Sequence, residues 1–385
     1  MFLKEKKSNN SMIYFGVFLL MIFSVFNTSP YGASLSWIII PSFIICFGLC
    51  FQRYLIKDRL LIIPFWFVSF ISTLISNYVS PQRDLITFFI FCIIYIISTS
   101  VNYNEFQIRK LNNAYIFASL LVSLNVLYNW IMHDYYNAWF MRSSFRFLGV
   151  YKDPNYVMAF IVPSIFLCTL EFFYEKNSNV KLIKFVYLVI FMLTFIATGS
   201  RGPVLTYLIG LLLYYFLNYE FNKIKKFKVF ICFFLMILVF YKIISSLLPE
   251  QSLNRFFNVT DDSRLELWTS SLSVFKNRPL LGGGMGAASK ISFLEAGNAS
   301  HNVYVDILSN FGIVGFFVFV YFFIVNCLRS TKKNRCFIIS VFIVFMLPLF
   351  FINGFNTLTF YYPIIMLSIY SNKCKSSYCD FKNLI

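Results

Sequence analysis

The sequence predicts an all-α polytopic membrane protein with about twelve transmembrane helices and one large external loop containing a short amphipathic helix. Three observations carry that prediction. Hydrophobic residues make up 59% of the 385-residue chain and the mean hydropathy is +0.71, whereas soluble domains hold about 45–50% apolar residues. Apolar runs of roughly the 20 residues that a bilayer demands recur along the whole chain. The one long polar interval, residues 249–302, stands between two such runs.

In order, the expected spans are 12–26, 35–51, 60–79, 85–101, 114–132, 156–174, 182–198, 203–217, 229–248, 303–328, 336–352 and 358–370. Lys4-Glu5-Lys6-Lys7 and the apolar run after it resemble a signal peptide. No small-x-small cleavage site follows, so the run reads as an uncleaved first span. Residues 1–385 read as a single integral membrane domain, with 249–302 as its external loop.

The chain holds 33 Lys and Arg against 16 Asp and Glu, a net charge of +17. In a soluble protein that excess would suggest nucleic acid. In a membrane protein it sets topology and faces anionic lipid, and no nucleic-acid partner is expected. With the N-terminus inside, 22 of the basic residues fall in inside segments and every inside loop carries at least two. Both termini are therefore expected to be cytoplasmic. The other 11 are Arg83, Arg142, Arg146, Lys152, Arg201, Lys242, Arg255, Arg264, Lys276, Arg278 and Lys290. They cluster at 142–152, at Arg201 and in the long loop. Such clustering on the disfavoured side points to an anionic ligand, against the plainer reading that a long loop simply contains charges.

The nine cysteines avoid the expected external loops and imply no disulfide framework. With two histidines there is no Cys/His metal set. No Asp-x-Asp pair exists to hold a metal-bound nucleotide sugar. No metal and no cofactor are expected.

Four stretches could carry chemistry. Gly199-Ser200-Arg201-Gly202-Pro203 predicts a tight turn between two spans, with glycine for unusual backbone angles and proline for a first helical turn. It leaves Arg201 at headgroup depth, either snorkelling or aimed at a phosphate. Asp262-Ser263-Arg264-Leu265-Glu266 has capping-box spacing, and Leu265, Trp268, Leu272 and Phe275 then repeat at helical intervals. An amphipathic helix of about 14 residues follows, ended by Arg278-Pro279. Gly282-Gly283-Gly284-Met285-Gly286 reads as a flexible turn without the Gly-Lys-Ser/Thr of a nucleotide loop. His301-Asn302 sits where the long loop enters the next span. An imidazole, ordinarily titrating near 6.5, suits proton transfer at ambient pH. Asn302 and Asp306 share a helix face, and Asp306 needs a partner inside a span. His133 lacks such a context and reads as structural.

In this order, the residues resemble the O-antigen ligase and O-antigen polymerase family of bacterial membrane glycosyltransferases. Ser200-Arg201-Gly202 closes a hairpin, and Arg264 precedes Trp268. Pro279 leads to Gly282 and Gly284, His301-Asn302 follows, and Gly312 and Gly315 lie in the next helix. Upstream, Arg146, Gly149 and Asp153-Pro154-Asn155 also match. Ser300 departs from the alanine that often precedes the histidine.

The resemblance implies a glycan donor on undecaprenyl pyrophosphate at the outer face of the cytoplasmic membrane, and an acceptor sugar hydroxyl. Arg201 and Arg264 would stabilise the departing pyrophosphate, and His301 would take the acceptor's proton. Arg146, Lys152, Asn155, Ser200, Trp268, Asn302 and Tyr304 would bind substrate. The expected partners are the lipid-linked oligosaccharide, the acceptor glycan and the bilayer, with a chain-length regulator and a flippase beside them. Polymerisation of repeat units for capsule, O-antigen or exopolysaccharide is favoured over ligation to lipid A core or protein, because nothing marks an acceptor-specific appendage. A transporter would need ionisable residues or broken helices at the midplane. Within the expected spans only Glu171, Lys242 and Asp306 are charged away from the ends.

Overall fold

The computed structural model describes residues 11–23, 42, 44–45, 62–76, 82–132, 141–142, 146–147, 153–217, 231, 242, 262–296, 300–352 and 358–374. Its helices are α1 (Ser11–Phe23), α2 (Ile62–Leu74), α3 (Gln82–Thr99), α4 (Glu105–Met132), α5 (Pro154–Tyr174), α6 (Ser178–Thr198) and α7 (Arg201–Leu217). Then come α8 (Asp262–Asn277), α9 (Ala287–Ala296), α10 (Val303–Leu328), α11 (Lys332–Met346), a 3-10 segment (Leu347–Phe351) and α12 (Leu358–Lys373). A helix occupies each expected span within the described residues; the spans at 35–51 and 229–248 lie outside them apart from isolated residues. Among the described residues, five stretches are long and apolar enough to cross a membrane: α4, α5, α6, α10 and Asn334–Phe351. Helices α1, α2, α7 and the Phe88–Thr99 part of α3 are apolar but shorter.

The all-helical expectation missed one feature. Met141–Arg142 (β1) and Arg146–Phe147 (β2) pair antiparallel, Met141 opposite Phe147 and Arg142 opposite Arg146. Strands this short leave no period to read in a sequence. Phe147 is buried, and β2 rests against α4 and α6.

Helix α5 is the centre of the bundle. Its Val157 to Leu170 side chains are apolar almost all round and are buried throughout, the pattern of a helix with no solvent or lipid face. It packs against α4, α6, α7, α11, α12 and the 3-10 segment. Hydroxyls bridge the helices: Tyr115 donates to the Phe160 carbonyl at 2.7 Å, Ser119 meets Ser164 at 2.7 Å, and Thr169 meets Tyr207 at 3.0 Å. In an apolar medium such bonds pin the register of neighbouring helices. Glu171 forms an ion pair with Lys184, whose ammonium also donates to Asn113 Oδ1 at 3.2 Å. Each buried charge is thereby compensated.

Helix α10 is broken at Gly312, whose φ of 65° and ψ of −168° belong to a region that only glycine occupies freely. The break fits against the glycine-rich segment before α9. Gly283 and Gly284 N–H groups donate to the Ser309 and Asn310 carbonyls at 3.0 and 2.8 Å. In return, Ile313 and Val314 N–H groups donate to the Pro279 and Leu280 carbonyls at 2.8 and 3.2 Å. Met285 N–H donates to Thr73 Oγ1 at 3.0 Å, and Ala288 N–H to Asn310 Oδ1 at 2.8 Å. The flexible turn expected at 282–286 is thus a largely buried, hydrogen-bonded strip. The reason is mutual: a broken helix frees backbone groups that must be satisfied inside protein, and glycine lets another backbone come close enough to do it.

Candidate active site

The N-terminal ends of α5 and α7 are joined by side chains. Asp153 caps α5, its Oδ1 accepting from Asn155 N–H at 2.7 Å, with Pro154 in the first turn. Gly199 ends α6 in the left-handed conformation, φ 57°, its N–H bonded to the Phe195 and Ile196 carbonyls. Between them, the buried Ser200 hydroxyl donates to Asn155 Oδ1 at 2.7 Å. Two residues singled out as substrate-binding therefore bond each other. The turn they fix presents Arg201, half-buried, as the first residue of α7.

Arg264 reaches the same place from α8. Its guanidinium carbon lies 5.8 Å from the centroid of the Phe351 ring. That ring also fills the space beside Gly202, with ring carbons 2.5 Å from where a β-carbon would stand. The Arg201-Gly202 turn and Arg264 hence converge on one phenylalanine. Sequence reasoning missed Phe351, because Leu347-Pro348-Leu349-Phe350-Phe351 reads as the tail of an apolar span. Pro348 is the one signal that could have flagged it, since it sits in the first turn of the 3-10 segment.

The histidine turn joins from the other side. Among the described residues, His301 is the one non-glycine residue at positive φ, 51°. Histidine tolerates that region better than most residues, but it still needs its surroundings to hold it there. Three contacts do so. Asn302 caps α10, its Oδ1 accepting from Tyr304 and Val305 N–H at 3.0 and 3.2 Å. Ser300 donates its hydroxyl to Asp306 Oδ1 at 2.6 Å. Trp268 donates its indole N–H to the Ser300 carbonyl at 3.0 Å. Asp306 thus has a partner in Ser300, the residue that departs from the alanine that often precedes the histidine. Tyr304 donates to the Met346 carbonyl at 2.7 Å and lies 4.2 Å from the Phe350 ring, so α10 also abuts the segment that carries Phe351.

Other expected residues fall elsewhere. Lys152 and the Arg146 side chain lie outside the described residues, although the Arg146 backbone belongs to β2. Arg278 donates to the Ile75 carbonyl at 3.0 Å, at the C-terminal end of α2, where a cation meets the negative end of the helix dipole. On α8 the buried positions are Leu267, Ser271 and Val274, while Leu265 is 60% exposed. The packed stripe is therefore offset from the expected one, because α8 rests on α9 and α10 rather than on a membrane surface alone.

The chemical inventory is two guanidinium-bearing segments and one imidazole-bearing turn around an aromatic segment. The nearby carboxylates, Asp153 and Asp306, are engaged by Asn155 and Ser300. Beside this cluster, an apolar groove of about 480 Å³ runs between α10 and α11, from Tyr304 and Met346 past Phe323 and Phe342 to Leu328. A comparison with curated proteins finds no match. Residues 186–320 match the family model described as O-antigen ligase, and that stretch holds Arg201, Arg264, Trp268, His301 and Asn302. Over residues 186–320, then, this chain is similar to the O-antigen ligase family.

Proposed function

We propose that the protein polymerises lipid-linked oligosaccharide repeat units at the outer face of the cytoplasmic membrane. It would do so from about twelve spans, with both termini cytoplasmic and residues 249–302 external. The donor is a glycan on undecaprenyl pyrophosphate. An acceptor sugar hydroxyl attacks the anomeric carbon, the carbon–oxygen bond to pyrophosphate breaks, and the lipid pyrophosphate leaves. Arg201 and Arg264 meet the charge growing on that leaving group, and His301 accepts the hydroxyl proton. Asn155, Ser200, Trp268, Asn302 and Tyr304 hold the turns that present these groups, with Arg146 and Lys152 nearby as further cations for the glycan pyrophosphate. The groove beside Tyr304 gives the polyprenyl chain an apolar path.

The observation that carries this reading is the convergence of the Arg201 turn and Arg264 on Phe351, with Trp268 bonding the same helix to the His301 turn. Such a convergence supports a site in which a leaving pyrophosphate and an attacking hydroxyl lie side by side. A transporter would also contain a broken helix. Here the groups freed at Gly312 are taken by the glycine segment, and residues 309–315 of the helix itself carry no ionisable side chain.

The description of the matched family model favours a second reading, ligation of the glycan to lipid A core or to protein. Purified protein supplied with a lipid-linked repeat unit separates the two. A ladder of repeat multiples from donor alone is the expected result. A single product that forms only when lipid A core or an acceptor protein is added would establish ligation. No transfer to any acceptor would defeat both.

A further inference from the structure

We propose that Phe351 is a positioning residue for Arg264. It holds the guanidinium by its flat face and leaves the N–H edge open to pyrophosphate oxygens. This rests on the reading of Arg264 as a leaving-group residue. The 5.8 Å separation of guanidinium carbon and ring centroid is within the range of a cation–π contact. A guanidinium carries its donors in its plane. Contact through the face therefore consumes none of them, whereas a carboxylate partner would occupy two and cancel the charge.

The ring is itself held firmly. It fills the space that a β-carbon on Gly202 would take, and its 3-10 segment packs against α5, α7 and α10. One ring thus touches the turn that presents Arg201 as well as the guanidinium of Arg264. The ligand that suits a guanidinium held beside that turn is a pyrophosphate, which carries negative charge on two adjacent phosphoryl groups.

The test is a double-mutant cycle on the full-length purified protein with a lipid-linked oligosaccharide donor. Phe351→Leu and Phe351→Met keep apolar bulk without a π face; Phe351→Tyr and Phe351→Trp keep the face. The non-aromatic variants should lose about tenfold in turnover, the size of a partly desolvated cation–π contact. The aromatic variants should retain most of it, with all four unfolding at similar temperatures in detergent. In an Arg264→Ala background, Phe351→Leu should cost nothing further, because the ring then has no guanidinium to place. Equal loss in both backgrounds, or equal activity of the leucine and tyrosine variants, would overturn the assignment. A fully active Arg264→Ala enzyme would instead remove the leaving-group role, and the proposal with it.

Discussion

The indole N–H of Trp268 donates to the carbonyl oxygen of Ser300 at 3.0 Å. That bond ties the helix of Arg264 to the turn of His301, so the proposed leaving-group residue and the proposed proton acceptor share one strut. Trp268→Phe keeps an aromatic ring and removes the donor. Loss of one such bond costs about 0.5–1.5 kcal/mol, and turnover should fall several-fold while expression stays near normal. Turnover and unfolding temperature both equal to wild type would show that the strut is dispensable.

Arg201→Ala and Arg264→Ala should each lower turnover by about 10²–10³, the usual cost of removing one transition-state donor. Lysine at either position should rescue only in part, because it supplies a point charge without the planar fork. Glycan formation by the purified variants measures this. A well-expressed Arg201→Ala protein that makes wild-type polymer would remove Arg201 from the site.

His301→Ala should cut turnover by about 10²–10⁴ and leave donor binding largely intact. His301→Gln should be nearly as poor, since an amide can hydrogen-bond but cannot take the proton. In the wild type, rate should fall on the acid side as the imidazole protonates. The arginine variants should keep that profile at a lower rate. An active His301→Gln enzyme with the same acid limb would leave His301 as a positioner and the base unassigned.

Gly312→Ala should prevent correct folding. Its backbone sits where only glycine is comfortable, a strain of about 1–3 kcal/mol for other residues. A β-carbon there would also lie 2.3 Å from the Leu280 carbonyl oxygen. That contact is with backbone, which cannot swing aside. Size-exclusion chromatography in detergent should show little monodisperse protein, and a normal profile with normal stability would contradict the close approach of the two segments.

A cysteine placed at Ser289, half-buried beside the exposed Lys290 on α9, should label from outside intact cells. Labelling only after permeabilisation would reverse the proposed orientation and with it the outward-facing mechanism. The motivation is the split of basic residues, 22 to 11, between the two sides.

Much of this protein is written locally. Apart from α9, which no expected span or repeat covers, each described helix falls where an apolar run or a helical repeat predicts it, because partition into an apolar phase and 3.6-residue periodicity are properties of a segment alone. The helix Asp262–Asn277 was legible for the same reason. So were Arg201, Arg264 and His301 as chemically conspicuous residues, since a charge or an imidazole beside a span costs free energy that needs a justification.

What the local signals could not hold were pairings between distant segments. Nothing near Gly312 announces that Leu280 lies against it, nor does anything near Gly202 announce Phe351. Nothing near Ser300 announces that its hydroxyl meets Asp306. Nothing near Arg278 announces that it donates to the Ile75 carbonyl at the end of α2. Hydropathy records how each segment meets the medium around it. Which segment it meets is decided by shape and by unmet hydrogen bonds across long stretches of chain, and those are settled only when the helices pack.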